Sequence, residues 1–191
     1  DILEKNRQIH KPIISTYNGR WIKELGDGVM ASFGNVSDAV NAAIKIMQAC
    51  IAANEYQLCI GIHLAEVVFE NDDVFGDGVN IAARIQSAAA PGCIFISESV
   101  HRSISNNTDI TTRFAKEAIL KNVSQPIRMY QVMVEGGKTE KIRKMLDTFG
   151  IDRAAEGEAE ELQLVGRNPG ALLKQLEAAL AHFRVFFLGE Q

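Results

Sequence analysis

Five polar side chains stand out by type and spacing. Lys23 and Asp27 lie four residues apart, and Asp27 is flanked by Gly26 and Gly28. A carboxylate in such a turn can ligate a hard cation, because Mg²⁺ takes carboxylate oxygens and shares them with phosphates. It is equally the residue that an ordinary Asp-Gly turn selects. Further on, Asp73 precedes Phe75-Gly76-Asp77-Gly78-Val79-Asn80, and Arg84 follows Asn80 by four residues. On a helix, Asn80 and Arg84 would share one face. An amide and a guanidinium at the start of a helix suit a phosphate ester that gains negative charge during reaction. The plainer reading is a turn cap and a surface ion pair.

Other chemistries find no support in the residue pattern. Gly26-Asp27-Gly28-Val29-Met30-Ala31 matches G-x-G-x-x-A as a string, but a dinucleotide site needs a helix to open at the glycines, and this segment alternates like a strand. His10, His63, His101 and His182 are scattered, with no zinc-type spacing. No G-x-S-x-G nucleophile elbow occurs. Asn71-Asp72-Asp73 lacks the closing Glu of a calcium loop.

The elements that must position these residues follow from periodicity and turn signals. Ile2 to Tyr17 reads as a helix interrupted at Pro12. Arg20 to Leu25 and Val29 to Phe33 flank an Asp-Gly turn and predict a β-hairpin with Asp27 at its tip. Ser37 is a suitable N-cap for a helix to about Asn54. Leu58 to Phe69 is apolar and β-branched and reads as a central strand. The alanine-rich run from Gly78 to Ala89 predicts a helix stopped by Pro91-Gly92. A short strand at Ile94 to Ile96, a helix at Glu98 to Ile104, and strands near Thr111 to Phe114 and Met129 to Val134 complete a mixed α+β domain.

Gly136-Gly137 marks the expected boundary, giving a domain over residues 1–136 and a linker with a helical tail over 137–191. Lys138 to Leu146 is basic and amphipathic, Glu156 to Glu161 is acidic, and Gly170 to Leu188 is Leu/Ala-rich and reads as helix. The 191 residues are 47% hydrophobic and 23% charged, enough apolar material for a core. Lys+Arg 20 against Asp+Glu 24 leaves a net charge of -4, the wrong sign for coating nucleic acid. No uninterrupted apolar run approaches membrane-spanning length, and the N-terminus has no secretory pattern. Cys50, Cys59 and Cys93 lie in apolar surroundings and read as buried thiols of a reducing compartment, so a cytoplasmic location is expected.

The segments KELGDGVMASF and GIHLAEVVFENDDVFGDGVNIAARI together resemble the catalytic domain of class III nucleotide cyclases, and LKNVSQPIRMYQV resembles the strand that closes that domain. The likeness runs from about Ile2 to Val134 and rests on spaced polar residues agreeing at once. It implies a ferredoxin-like β-α-β-β-α-β core and a head-to-tail homodimer with active sites at the interface. It implies conversion of ATP to 3′,5′-cyclic AMP and pyrophosphate with two Mg²⁺ or Mn²⁺ ions. Asp27 matches a metal-binding aspartate. Lys23 and Asp73 match the purine-selecting pair in its adenine-type form. Asn80 and Arg84 match the pair that orients the ribose and stabilises the phosphorus in the transition state. Regulatory domains in the full-length protein are a further implication.

Two departures accompany the resemblance. The family's first metal aspartate sits in an opening strand ahead of the helix that corresponds to Ile2 to Tyr17. The expectation is therefore either a fragment of a longer protein or an incomplete metal site, with apolar surface exposed where the strand is missing from the sheet. Ala65 stands where the family often has Gly. A non-catalytic nucleotide-binding or dimerisation module of the same fold is the alternative function.

Overall fold

The computed structural model describes residues 2–26, 28–53, 56–70, 73–119, 123, 125–136 and 181–189. Helix α1 (Ile2–Thr16) leads into the hairpin β1 (Gly19–Leu25) and β2 (Gly28–Phe33). Leu25 pairs with Gly28, so the hairpin closes over positions 26 and 27, one residue earlier than an Asp-Gly turn, with Gly26 at φ 61°; Asp27 itself lies outside the described residues. α1 continues through Pro12, and the Thr16 hydroxyl donates to the Pro12 carbonyl at 2.8 Å.

Helix α2 (Val36–Ala53) starts where expected, although its cap is Asn35 rather than Ser37: the Asn35 side-chain oxygen accepts from the Ser37 amide at 2.8 Å. By length and composition this helix could cross a membrane, which the search for an uninterrupted apolar run missed because Asp38 and Lys45 break it. In the structure Ala39, Val40, Ala43, Ile46 and Met47 are buried in the core.

The apolar stretch read as one strand divides into β3 (Tyr56–Leu64) and β4 (Val68–Glu70), with β5 (Asp73–Phe75) folding back on β4. Then come α3 (Asp77–Ala88), β6 (Cys93–Ser97), α4 (Glu98–Ile104), β7 (Thr112–Ala118) and β8 (Ile127–Val132). The last described element is β9 (Ala181–Gly189).

β9 corrects the expectation of a helix over Gly170 to Leu188 within residues 181–188; residues 170–180 lie outside those described. His182-Phe-Arg-Val-Phe-Phe-Leu188 carries three phenylalanines and one valine, and its last four residues are continuously apolar, a composition that suits a strand inside a sheet. The main sheet has seven strands in the order β1-β2-β9-β3-β6-β8-β7. β9 runs parallel to both neighbours, with Val185 level with Val29 of β2 and Ile60 of β3. The place expected to be left open is therefore filled by the chain's own later segment.

Alternation along β3 separates two layers. Leu58, Ile60 and Ile62 join Ile14 of α1, the α2 face, and Val100 and Ile104 of α4 in one apolar core. Cys59 faces the other way with Cys93, Phe95 and Met129 against Ile85 and Ala89 at the α3 side. All three cysteines are buried. Helix α3 approaches β3 closely because Gly61 has no side chain. A Cβ there would meet the Gln86 Cα at 2.6 Å and the Ala82 carbonyl oxygen at 2.7 Å, both backbone atoms that cannot swing away.

Candidate active site

The hairpin and the β4–β5 ribbon bring two of the expected residues, Lys23 and Asp73, together, while Asn80 and Arg84 lie on α3. Lys23 belongs to β1, whose pairing with β2 slips between Trp21 and Lys23: Trp21 is level with Ala31, and Lys23 with Met30. Ile22 is thus the extra residue of a bulge. A bulge re-aims the side chains that follow it. Here Trp21 packs towards the α1–α2 core, while Ile22 joins Met30, Val74 and Ala82 on the opposite face. Lys23 follows to that same side and reaches β5.

There its ammonium donates to both oxygens of Asp73, at 2.6 and 2.7 Å, across 50 residues of sequence. Asp73 also accepts from the Val74 amide at 2.7 Å. Both side chains are about one-third exposed, 35% for Lys23 and 33% for Asp73, so solvent can reach the pair. The hydrogen bond from Lys23, aided by that from the Val74 amide, holds the Asp73 carboxyl below the ordinary carboxylate range. The result is a fixed donor beside a fixed acceptor, able to meet a planar heterocycle that offers the complementary pattern.

Asn80 and Arg84 lie one turn apart on α3, Asn80 exposed and Arg84 half-buried. The helix has no side-chain cap; Gly76, at φ 143°, turns the chain from β5 into its first turn. Such a φ strains any residue with a Cβ, which accounts for glycine at this point.

Beneath the start of α3 is a polar chain that spacing did not reveal. His63 Nδ1 is 2.9 Å from the Ser97 hydroxyl, which is 2.9 Å from the Ser99 hydroxyl. No sequence signal could have joined them, since the contact spans 34 residues and the histidine has no partner at motif spacing.

Burial lowers the pKa of His63 to about 4, and that of His10, which packs 3.9 Å from Cys50 Sγ, to about 4 as well. Both are neutral in the folded chain at pH 7. Unfolded, each takes up a proton near its ordinary value of 6.5, whereas folded it does not until about 4. Stability is therefore expected to fall as pH drops from 6.5 to 4, by up to about 1.4 kcal/mol per pH unit for each histidine, and to flatten below. Urea unfolding at pH 7.0, 5.5 and 4.5 checks this, and His63→Gln should roughly halve the slope. A stability constant over that range would contradict the burial of neutral imidazoles.

Asp27, the carboxylate expected to ligate a divalent ion, lies outside the described residues. Among the described residues no group of three His, Cys, Asp or Glu side chains could hold a metal ion. The strand in the sheet's central place, Ala181–Gly189, contains neither Asp nor Glu. Hard cations bridging phosphates take several carboxylate oxygens, and the described residues do not furnish that donor set.

Comparison with known proteins agrees with this fold. The family model described as the adenylate and guanylate cyclase catalytic domain matches residues 2–134. A chain of Rhizobium meliloti (strain 1021) that carries a provisional adenylate cyclase name is 33% identical over 136 residues, 68% of this chain and 23% of that protein. A pH-sensitive adenylate cyclase of Mycobacterium tuberculosis (strain CDC 1551 / Oshkosh) is 24% identical over 116 residues, 59% of this chain and 29% of the relative. The chain thus spans less than a third of each. Among solved structures, an adenylate/guanylate cyclase/hydrolase from Silicibacter pomeroyi superposes with a TM-score of 0.62 at 28% identity, covering 69% of this chain and 82% of that one. An adenylate cyclase from Trypanosoma brucei, solved in its monomeric state, shares the fold at a TM-score of 0.54 and 16% identity, over 68% of this chain and 77% of that one.

Proposed function

Because the chain belongs to the adenylate and guanylate cyclase catalytic domain family, we propose that it acts on ATP, forming 3′,5′-cyclic AMP and pyrophosphate. The observation that carries the choice of nucleotide is the Lys23–Asp73 pair, closed at 2.6 Å. Adenine offers an exocyclic amine that donates and ring nitrogens that accept, so Asp73 accepts a hydrogen bond from the amine and Lys23 donates one to a ring nitrogen. Guanine presents a carbonyl and a protonated ring nitrogen on that edge and meets both groups the wrong way round.

The reaction is attack of the ribose 3′-hydroxyl on the α-phosphorus, with departure of pyrophosphate. No protein nucleophile enters, so the chain contributes position and charge complementarity. Asn80 orients the ribose by hydrogen bonding, and Arg84 offers its guanidinium to the charge that builds on the equatorial oxygens. The working form is a cytoplasmic homodimer in which Asp27 of one protomer faces Asn80 and Arg84 of the other, attached to regulatory domains in a full-length protein.

The carboxylate-poor central strand favours a second reading, a non-catalytic nucleotide-binding or dimerisation module of the same fold. One assay separates the two: nucleotide binding together with cyclic AMP and cyclic GMP formation, from ATP and GTP, in Mg²⁺ and Mn²⁺ buffers. Cyclic AMP formation is expected, and Lys23→Glu with Asp73→Cys should shift the ATP/GTP preference by roughly tenfold to a hundredfold. Binding without turnover would leave the module reading. An unchanged preference in the double variant would remove the assignment of the pair.

A further inference from the structure

The β4–β5 ribbon that carries Asp73 leaves β3 and returns to α3 through two short links that lie side by side. The outgoing link is Ala65-Glu66-Val67, and the returning link is Gly76, after which Asp77 and Gly78 open α3. They touch at two points. A Cβ on Gly76 would lie 3.3 Å from the Glu66 carbonyl oxygen and 3.8 Å from the Val67 Cα. A Cβ on Gly78 would collide with the Cβ of Ala65, while its next neighbours, the Ala65 Cα at 3.7 Å and the His63 Cδ2 at 3.8 Å, stand at ordinary contact distance. One methyl group, that of Ala65, therefore fills the only space a side chain on Gly78 could use.

We propose that this Ala65–Gly78 contact is a positioning element that sets the offset between Asp73, three residues before Gly76, and the Asn80–Arg84 face, which opens two residues after Gly78. The proposal rests on the nucleotide cyclase reading for its functional meaning. The seat below is rigid: Gly78 is buried, and His63 is tied to Ser97 at 2.9 Å. Helix α3 cannot sink further, because Gly61 already rests on the Gln86 and Ala82 backbone. A methyl on Gly78 must therefore lift the first turn of α3, and Asn80 and Arg84 move with it while Lys23 and Asp73 stay. Misplacement of catalytic groups by about 1 Å can cost around a hundredfold in rate.

The test compares wild type, Gly78→Ala, and Ala65→Gly combined with Gly78→Ala. Gly78→Ala is expected to lower kcat by about tenfold to a hundredfold with KM for ATP changed by less than about threefold, and to speed amide hydrogen exchange over residues 79–84. The double variant returns the colliding atom to open space, so kcat within about threefold of wild type and native exchange rates are expected. A double variant no better than Gly78→Ala, or Gly78→Ala indistinguishable from wild type, overturns the proposal. If Gly78→Ala fails to fold, folding with native α3 exchange in the double variant supports it, and failure of both overturns it. If wild type makes no cyclic nucleotide, the cyclase reading falls by that result, and the exchange pattern across the three proteins still decides whether Ala65 and Gly78 seat the helix.

Discussion

Val185→Pro is expected to melt about 6–12 °C below the wild-type chain. Val185 is at the middle of β9, level with Val29 on one side and Ile60 on the other, so its backbone sits between two hydrogen-bonded neighbours. Proline removes an amide donor and adds a ring where strands are about 4.8 Å apart, and it is tolerated in sheets essentially at edges. A cost of about 3 kcal/mol, the scale at which proline breaks regular structure, converts to that melting shift for a domain of this size. The loss is large against a typical total stability of about 5–15 kcal/mol. Val185→Ala keeps the amide and should cost distinctly less. Thermal and urea unfolding followed by circular dichroism provide the comparison. Equal melting of Val185→Pro and wild type would mean that residues 181–189 do not complete the sheet.

Arg84→Ala should reduce cyclic AMP formation by about a hundredfold to a thousandfold, the range for removing one preorganised donor from a developing anion. The base remains held by Lys23 and Asp73, so nucleotide binding should change little. Arg84 lies half-buried on α3, which leaves the melting temperature nearly unchanged. Arg84→Lys keeps the charge but loses the planar fork and should recover only part of the rate. In a shared-site dimer, Arg84→Ala mixed with Asp27→Ala regains one intact site per heterodimer, about a quarter of the wild-type rate for random pairing. Wild-type turnover by Arg84→Ala would exclude it from the transition state. Failure to recover on mixing, with exchange of subunits demonstrated, would exclude the shared site.

What could be read in advance followed the range of the interactions involved. The β1–β2 hairpin was legible because Gly26-Asp27 encodes its own turn, and α3 because Pro91-Gly92 stops an alanine-rich run within a single window. The Lys23–Asp73 pair came only through resemblance, since nothing within 50 residues of intervening sequence announces it. The bulge at Ile22 that aims Lys23 has no turn residue to mark it, and only the paired strand reveals the slipped register. The break at Ala65 to Val67 was hidden because apolar residues continue on both sides of Glu66, and its cause is the return of the chain at Gly76 and Gly78. β9 was read as helix because leucines and alanines dominate the preceding residues, while its strand character depends on neighbours more than a hundred residues away.

The position of β9 also bears on how the chain is made. β2 and β3 share no direct pairing in the sheet and meet only through residues 181–189. A ribosome extending at about 5–20 residues per second finishes β3 roughly 6–25 s before it finishes β9. Pairing with β9 brings Val29 and Ala31 of the β1–β2 hairpin into one core with Ile60 and Ile62 of β3. Closure then requires pairing across long sequence separation, which is slow. The sheet built by the described residues is therefore closed by the latest-made of its strands, and that closure, more than formation of the β1–β2 hairpin, should set the folding rate.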